Sequence, residues 1–358
     1  MTSRFDSNNS LVLLSRLLFS PVPEERHAFH DLSRARFEEM LLLAGTNHVL
    51  MRSMGVLRGL MADAGDGERY EWATNALEQE SCRIENALTR LHEILQALGE
   101  AGCEVTVIKS LDHWPDLGSD LDLYTNAPAE EIIRVMTERC NGRVAPRSWG
   151  DRLANKWNFM IPGLPELVEV HIGRLGQTGE LVSLAHSLPK RARKLMLQGY
   201  RFPVSSLEDR LVICTLQRMY RHFFIRLCDI ADTFEILQTG EIDFASLRAL
   251  AEENGIWEGL ATLLVIVAEY VEGYRGQGVP IPSPVRSAAQ LRLGQVGFAR
   301  GFLRVPILPH SVRLYAGEWK TLMSRGQLRN TARLSLLPCL ATAAALGQKI
   351  TGSDKGIW

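Results

Sequence analysis

Apolar residues recur at helical spacing through most of the first hundred residues. Residues 37–60 are rich in leucine and methionine at helix-compatible positions, and residues 72–98 follow the 3.6-residue period of an amphipathic helix. The segment Ala64-Gly65-Asp66-Gly67 between the two runs is typical of a turn, and Gly99 and Gly102 end the second run. The pattern predicts an N-terminal helical region at residues 1–100.

The pattern then changes from helical to alternating. The segments EVTVI (104–108) and LDLY (121–124) predict two strands, and NKWNFMI (155–161) and ELVEVHI (166–172) predict a hairpin that turns through residues 162–165. Between these pairs, Pro128 and the acidic residues that follow it predict a helix to about Cys140, with Pro128 at the first helical position. We therefore expect a compact α/β core at residues 101–205.

Helical periodicity returns after this core. Ser206 and Asp209 have the spacing of a capping box at the start of residues 207–237, which we predict to form one or two long helices. A further helical run covers residues 244–274, and the Gly- and Pro-containing segment 277–284 predicts a linker. The chain is thus predicted to be an α+β protein with a helical region at 206–276 that completes a cleft and a C-terminal helical region at 277–358.

Charge changes this picture only near the C-terminus. The 358 residues are 46% hydrophobic and 23% charged, and the formal net charge is −1, so overall electrostatics indicate an ordinary globular protein and no particular partner. The 277–358 region is an exception, because it contains eleven basic residues and only two acidic ones. This basic region could meet an acidic protein face or a phosphate-rich partner, but the favoured interpretation is a solvated helical surface.

The cysteines and the apolar stretches of the chain indicate in which cellular compartment the protein is expected. The six cysteines are scattered without a C-x-x-C pair, which predicts neither a zinc site nor a thioredoxin-like motif. The polar N-terminus lacks a signal-peptide pattern, and no apolar stretch approaches the roughly 18 residues needed to span a bilayer. We expect a cytoplasmic protein without a membrane span.

Two carboxylates in the second predicted strand provide the first candidate chemistry. Asp120 and Asp122 are two positions apart, so on a strand they point to the same face. Carboxylates this close repel each other unless a positive charge lies between them, and a hard divalent cation such as Mg²⁺ is a common solution. A D-x-D pair alone is weak evidence, because it also arises by chance in turns.

A third carboxylate strengthens the case. In ELVEVHI, alternation places Glu169 and His171 on one face and three β-branched residues on the other. An acid in such a strand needs a partner, and a neighbouring strand with Asp120, Asp122 and a metal would supply one. Three carboxylates suit a two-metal phosphoryl-transfer site.

Together these residues resemble the signature of the polymerase-beta-like nucleotidyltransferase superfamily. Ile108-Lys109-Ser110 stands where that superfamily has its Gly-Ser-type turn, Asp120-Leu121-Asp122 matches its acidic strand, and Glu169 matches its third acid. The chain is more narrowly similar to an uncharacterised bacterial branch with a Leu-Lys-Gly turn and a later Arg-x-x-Asp pair, here Arg226 and Asp229. The similarity covers roughly residues 35–275 and is specific only in the core.

The resemblance implies a fold, an activity and roles for residues. It implies a small mixed nucleotidyltransferase-type sheet and Mg²⁺-dependent (or Mn²⁺-dependent) transfer of a nucleoside monophosphate from an NTP to an unknown small-molecule or protein acceptor. Nucleic acid is not excluded as a partner, although no nucleic-acid-binding motif is present. The implied metal-binding catalytic residues are Asp120, Asp122 and Glu169, the implied nucleotide-binding residues are Lys109, Ser110, Gly118 and Ser119, and the candidates for acceptor binding or docking are His171, Arg226 and Asp229.

Departures from the family pattern keep alternatives open. Lys109 replaces the turn glycine that lets the backbone approach phosphates, which also fits a retired enzyme that binds nucleotide or a partner protein. A purely helical scaffold is a third alternative. Glu169 could instead form a salt bridge with Lys156 or Arg174. His171 could have a structural role, hydrogen-bonding within the sheet, instead of a catalytic one. Arg226 and Asp229, three residues apart, could form an intrahelical pair.

Overall fold

The computed structural model describes residues 10–20, 29–299, 301–340 and 342–343. Its N-terminal part contains the helices α1 (Ser10–Phe19), α2 (Arg34–Thr46), α3 (Leu50–Ala64) and α4 (Gly67–Glu100). The apolar run 37–60 is divided between α2 and α3 at Asn47, whose buried amide binds Leu43 O, Gly301 O and the backbone N of Leu227. The predicted turn before α4 is confirmed, since Gly65 ends α3 with φ 70°.

Seven strands form one mixed sheet in the order β3-β4-β5-β2-β1-β7-β6. They are β1 (Val105–Val107), β2 (Asp120–Thr125), β3 (Arg143–Val144), β4 (Lys156–Met160), β5 (Leu167–Ile172), β6 (Arg193–Leu197) and β7 (Tyr200–Val204). β2 is parallel to β5, and β1 is parallel to β7. The predicted β4–β5 hairpin is confirmed, whereas the β6–β7 hairpin was not predicted from the sequence.

The helix after β2 differs from the prediction by one position. α5 (Ala129–Glu138) is capped by Pro128, which has an extended backbone and lies just outside the helix rather than at its first position. Glu130 and Glu131 occupy the first turn as expected, where carboxylates interact favourably with the partial positive charge of the helix N-terminus.

Nine further α-helices follow in the described part of the chain. They are α6 (Trp149–Ala154), α7 (Val182–Ser187), α8 (Leu207–Thr215), α9 (Leu227–Thr239), α10 (Phe244–Glu253), α11 (Trp257–Arg275), α12 (Ser283–Ala288), α13 (Val312–Ser324) and α14 (Leu328–Leu334). Ser206 caps α8 by accepting a hydrogen bond from Asp209 N at 3.1 Å, as its spacing predicted.

The predicted helical run 207–237 is interrupted after α8. A π-helical segment covers residues 216–222, Phe223 takes a left-handed conformation with φ 52°, and β8 (Phe224–Ile225) follows. β8 pairs with β10 (Phe302–Arg304), which in turn pairs with β9 (Gly297–Ala299). The local sequence did not predict this interruption, because the strand that pairs with β8 lies nearly 80 residues later in the chain.

Helix α4 connects two hydrophobic cores. With 34 residues it is about 50 Å long. Its first half contributes Ala73 and Leu77 to a core shared with α1–α3 and α8–α11. Its second half contributes Leu88 and Leu91 to a core closed by α5 and the apolar face of the sheet. The helical bundle and the sheet are therefore held to one another by a continuous helix.

The basic C-terminal region packs on the rest of the protein where it is described. Arg292 pairs with Glu269 at 3.0 Å, and Arg333 donates to Leu153 O at 2.6 Å. Three of its eleven basic residues, Arg300, Lys349 and Lys355, lie outside the described residues. The proposed division into four regions stays a prediction.

The chain is an α+β protein in which a mixed sheet is flanked by helical regions, as predicted. In the part of the chain that the structure describes, no helix combines the length and the apolar character that a bilayer crossing requires.

Candidate metal and nucleotide site

The register of two parallel strands brings the predicted carboxylates together. Asp122 on β2 lies directly opposite Glu169 on β5, and Tyr124 lies opposite His171. Because side chains two positions apart share a face of a strand, Asp120, Asp122, Glu169 and His171 all occur on the same face of the sheet. The opposite face is core, as alternation predicted, with Val168 and Val170 fully buried.

The turn between β1 and β2 is held by a buried serine. Ser110 Oγ accepts a hydrogen bond from Asp122 N at 2.6 Å and donates to Asp120 O at 3.2 Å. The hydroxyl therefore fixes the backbone of both aspartates instead of facing an open cleft. The preceding residue, Lys109, has φ 63°, a conformation that side chains with a Cβ rarely adopt.

This turn directs Lys109 into the carboxylates. Its ammonium forms an ion pair with Asp122 Oδ1 and lies 3.5 Å from Glu169 Oε1. On the other side of Glu169, Lys156 Nζ lies 2.7 Å from Oε2 and 3.2 Å from the Asp151 carboxylate. The Lys156 alternative considered from sequence is thus present, while Arg174 donates to Gly179 O at 2.9 Å. Lys109 and Lys156 thus lie against the carboxylates of Asp122, Glu169 and Asp151.

His171 approaches the same two oxygen atoms. Its Nε2 lies 2.9 Å from Glu169 Oε1 and 3.3 Å from Asp122 Oδ1, so hydrogen bonding within the sheet, expected as its default role, is observed. Lys109 Nζ and His171 Nε2 therefore share one oxygen pair, Asp122 Oδ1 and Glu169 Oε1, which we call the oxygen pair.

The surroundings shift the pKa values of Asp120 and Glu169 in opposite directions. Burial, with the negative charges of Asp122 and Glu169, raises the pKa of Asp120. Burial opposes ionisation of Glu169 as well, but the two lysines and His171 outweigh it and lower the pKa of Glu169 well below its ordinary value. Burial likewise opposes the charge of Lys109, yet Asp122 and Glu169 raise its pKa. Glu169 and Lys109 thus stabilise each other in their charged forms.

The donor set fits a divalent metal ion. Asp122, Glu169 and His171 each offer one ligand atom, and these atoms all lie within 4.8 Å of one another. Carboxylate oxygens are the ligands that Mg²⁺ and Mn²⁺ prefer, and imidazole is acceptable to Mn²⁺. Asp120 lies outside this group and contacts Ser119 Oγ at 3.4 Å. An ion on the oxygen pair would use the atoms that Lys109 now contacts.

A cleft opens beside the oxygen pair. It has a volume of about 40 Å³ and is lined by the polar residues Lys109, His171, Gln177, Gln217 and Arg221 together with Ile108, Leu175, Gly176, Ile213 and Leu216. Gln177 is fixed there because its side-chain amide donates to Tyr220 O. Gln177, Gln217 and Arg221 were not proposed as site residues from sequence, since no local motif marks them.

The other predicted nucleotide-binding positions lie at the start of β2. Gly118 O accepts from Arg83, which also pairs with the buried Glu166, and Ser119 is exposed. A Cβ on Gly118 would meet only Asp120 O at 3.9 Å, so space does not require glycine there. Their role in nucleotide binding stays a prediction.

The Arg-x-x-Asp pair is built into the start of α9. Arg226 precedes the helix and its backbone N donates to Asp229 Oδ2 at 2.7 Å. The guanidinium of Arg226 contacts His48 at 2.8 Å, and Asp229 forms a buried ion pair with Arg218 at 2.7 Å. The expected pairing of the two side chains is replaced by pairing with different residues, and a docking role for either stays a prediction.

A second polar cluster lies behind the turn. Arg52 on α3 bonds Asp232 at 2.5 Å and lies 3.4 Å from Asp116, while His113 pairs with the other oxygen of Asp232. Burial opposes the charge of His113, but Cys228 and Asp232 raise its pKa well above the ordinary value. This cluster ties α3, the β1–β2 turn and α9 together. The only sequence signal was an aspartate in the apolar α9.

No protein-family model matches this chain, and no curated protein sequence matches it either. The chain is similar to a solved structure, the solution structure of the antibiotic-resistance factor ANT(2'')-Ia, with 15% sequence identity over 53% of this chain and 89% of that chain. The TM-score of that match is 0.28.

Proposed function

We propose that this protein is a divalent-metal-dependent nucleotidyltransferase, which moves a nucleoside monophosphate from an NTP to an acceptor and releases pyrophosphate. The observation that carries the proposal is the in-register placement of Asp122 opposite Glu169 on parallel strands, with Asp120 on the same face. Separate segments of the chain, almost 50 residues apart, supply these acids to one sheet face beside a cleft lined by Lys109, His171 and Arg221.

The side chains suggest a division of labour. Asp122 and Glu169, with His171 beside them, would hold Mg²⁺ or Mn²⁺, and Asp120 would extend the carboxylate surface toward the open end of β2. A bound metal ion supplies charge neutralisation for the triphosphate and for the attacking oxygen. Lys109 and Arg221 would bind phosphate oxygens within the cleft.

The proposed transfer forms one bond to phosphorus and breaks another. An acceptor oxygen bonds to the α-phosphorus of the NTP, the bond from that phosphorus to the bridging oxygen of the β-phosphate breaks, and pyrophosphate leaves. The acceptor proton passes to a carboxylate of the site or to water. The lysine contacts that hold the pKa of Glu169 well below its ordinary value keep this carboxylate ionised, which suits a metal ligand better than a base.

The test is transfer from α-labelled NTPs in the presence of Mg²⁺ or Mn²⁺, followed as released pyrophosphate and as label on acceptor or protein. Asp122→Asn and Glu169→Gln should lower the rate by more than about a hundredfold, since loss of even outer-shell metal partners costs about 10- to 100-fold. Glu130→Gln, on the exposed first turn of α5, is the matched control. Equal rates in wild type and both site variants would contradict the proposal.

A second candidate is a protein that binds nucleotide, or a partner, without turnover. The pairing of Lys109 and Lys156 with the carboxylates favours it, because these charges are already satisfied without metal. It predicts calorimetric binding of NTP with no pyrophosphate release from any of the four NTPs.

A further inference from the structure

Lys109 holds the oxygen pair that a metal ion would need. Its Nζ contacts Asp122 Oδ1 and Glu169 Oε1, and its side chain is about 14% exposed. The positive φ of Lys109 is maintained by the turn in which Ser110 bonds the backbone of both aspartates. The turn thus directs the Lys109 side chain toward the oxygen pair.

An ammonium and a divalent cation compete for the oxygen pair. Mg²⁺ binds oxygens at about 2.0–2.1 Å in octahedral geometry, so an ammonium on the same two atoms would lie within a few ångströms of it. Unit charges at such separations repel strongly in a partly buried site. Metal binding to both oxygens is therefore favoured when Lys109 moves away from them.

Lys109 lines two clefts. One contains Asp112, Asp229 and Asp232, which are already paired with arginines. The other lies beside the oxygen pair, where none of the described lining residues is acidic and Arg221 adds positive charge. A released ammonium there remains unpaired until an anion arrives. The flexible four-carbon stem of lysine allows this movement without a change in the turn.

Lys156 provides the contrast. It contacts Glu169 through Oε2, the oxygen outside the pair, and its second partner is Asp151 rather than Asp122. It can remain in place when a cation occupies the oxygen pair. Of the two lysines at the site, Lys109 alone blocks it.

We infer that Lys109 competes with the divalent cation for the oxygen pair, and that an anionic nucleotide relieves the competition by binding the displaced ammonium. This inference rests on the proposed function. Metal alone would bind weakly, and metal and nucleotide would each strengthen the binding of the other by the same factor, as linkage requires. Lys109 would thus prevent the site from retaining metal without substrate.

The experiment is calorimetric titration of Mn²⁺ into the full-length protein, with and without a non-hydrolysable α,β-methylene NTP. Lys109→Met should bind Mn²⁺ alone roughly tenfold more tightly than wild type, within the usual range of such couplings, and should lose most of the mutual enhancement with nucleotide. Lys156→Met, the matched control, should change affinity for metal alone less and keep the enhancement. Equal Mn²⁺ affinity in Lys109→Met and wild type would overturn the inference.

A measurement on the wild type guards against a variant that fails to fold. Labelling of Lys109 with an amine-reactive reagent, read by mass spectrometry, should increase when Mn²⁺ is added alone and fall when nucleotide follows. An extent of Lys109 labelling that does not change at a saturating concentration of Mn²⁺ would refute displacement of the ammonium. Failure of the proposed function looks different, because then neither wild type nor Lys109→Met would bind Mn²⁺ with or without nucleotide.

Discussion

A buried pair of glutamates beside the cleft should make the stability of this protein depend on pH. Glu318 on α13 and Glu180 are almost fully buried, with 1% and 0% exposure. Glu180 accepts hydrogen bonds from Gln177 N, Thr178 N and the Thr178 hydroxyl. Glu318 has Glu180 as its neighbour, and burial together with that neighbour raises the pKa of Glu318 well above the ordinary value. Its contact joins the C-terminal region to the loop that lines the cleft.

The direction of the effect follows from proton linkage. Because the native state holds the Glu318 proton at pH values where the unfolded chain has released it, the unfolding free energy falls as pH rises. This stability is complete below the ordinary glutamate pKa and is lost between that value and the raised native value, by about 1.4 kcal/mol for each pH unit. Glu318→Gln keeps the shape of the protonated side chain and removes the titration.

The assay is urea unfolding of wild type and Glu318→Gln across pH 4 to 8. The two proteins should have similar unfolding free energies at pH 4, and the variant should become progressively more stable than wild type as pH rises. Glu253→Gln, which removes an about half-exposed carboxylate near Arg325, should give a difference that varies little with pH. A constant difference between Glu318→Gln and wild type would refute the shared burial of the two acids as its cause.

Three further substitutions probe how the site is held. Arg52→Met should cost about 3–5 kcal/mol in urea unfolding, because it strands two buried carboxylates that Arg52 now pairs; a loss below 1 kcal/mol would contradict that view. Ser110→Ala should cost about 1–3 kcal/mol and weaken metal binding, since the bond to Asp122 N is lost, whereas the exposed Ser119→Ala should do neither. Gly259→Ala should lower stability by about 1–3 kcal/mol, because its Cβ would lie 2.4 Å from the Tyr220 ring; an unchanged thermal midpoint would show that the ring moves freely.

The sequence determined the local elements and the chemistry of the acids. Alternation in β5 was enough to assign Val168 and Val170 to the core and Glu169 to the opposite face, because strand periodicity is a local property. Ser206 and Gly65 marked helix ends through hydrogen bonds and φ preferences that need no distant partner. The spacing of Asp120 and Asp122 placed them on one face for the same reason.

Only the tertiary structure decided which charges meet. That Asp122 faces Glu169 follows from the parallel register of β2 and β5, and the pairing of β8 with β10 joins segments far apart in the chain. The ion pairs of Lys109 and Arg52, and the burial of Glu318 against Glu180, depend on packing between elements, which no local pattern encodes. The sequence therefore identified the carboxylates, whereas the fold placed a lysine between two of them. A charge that is removed from water is costly unless an opposite charge lies next to it.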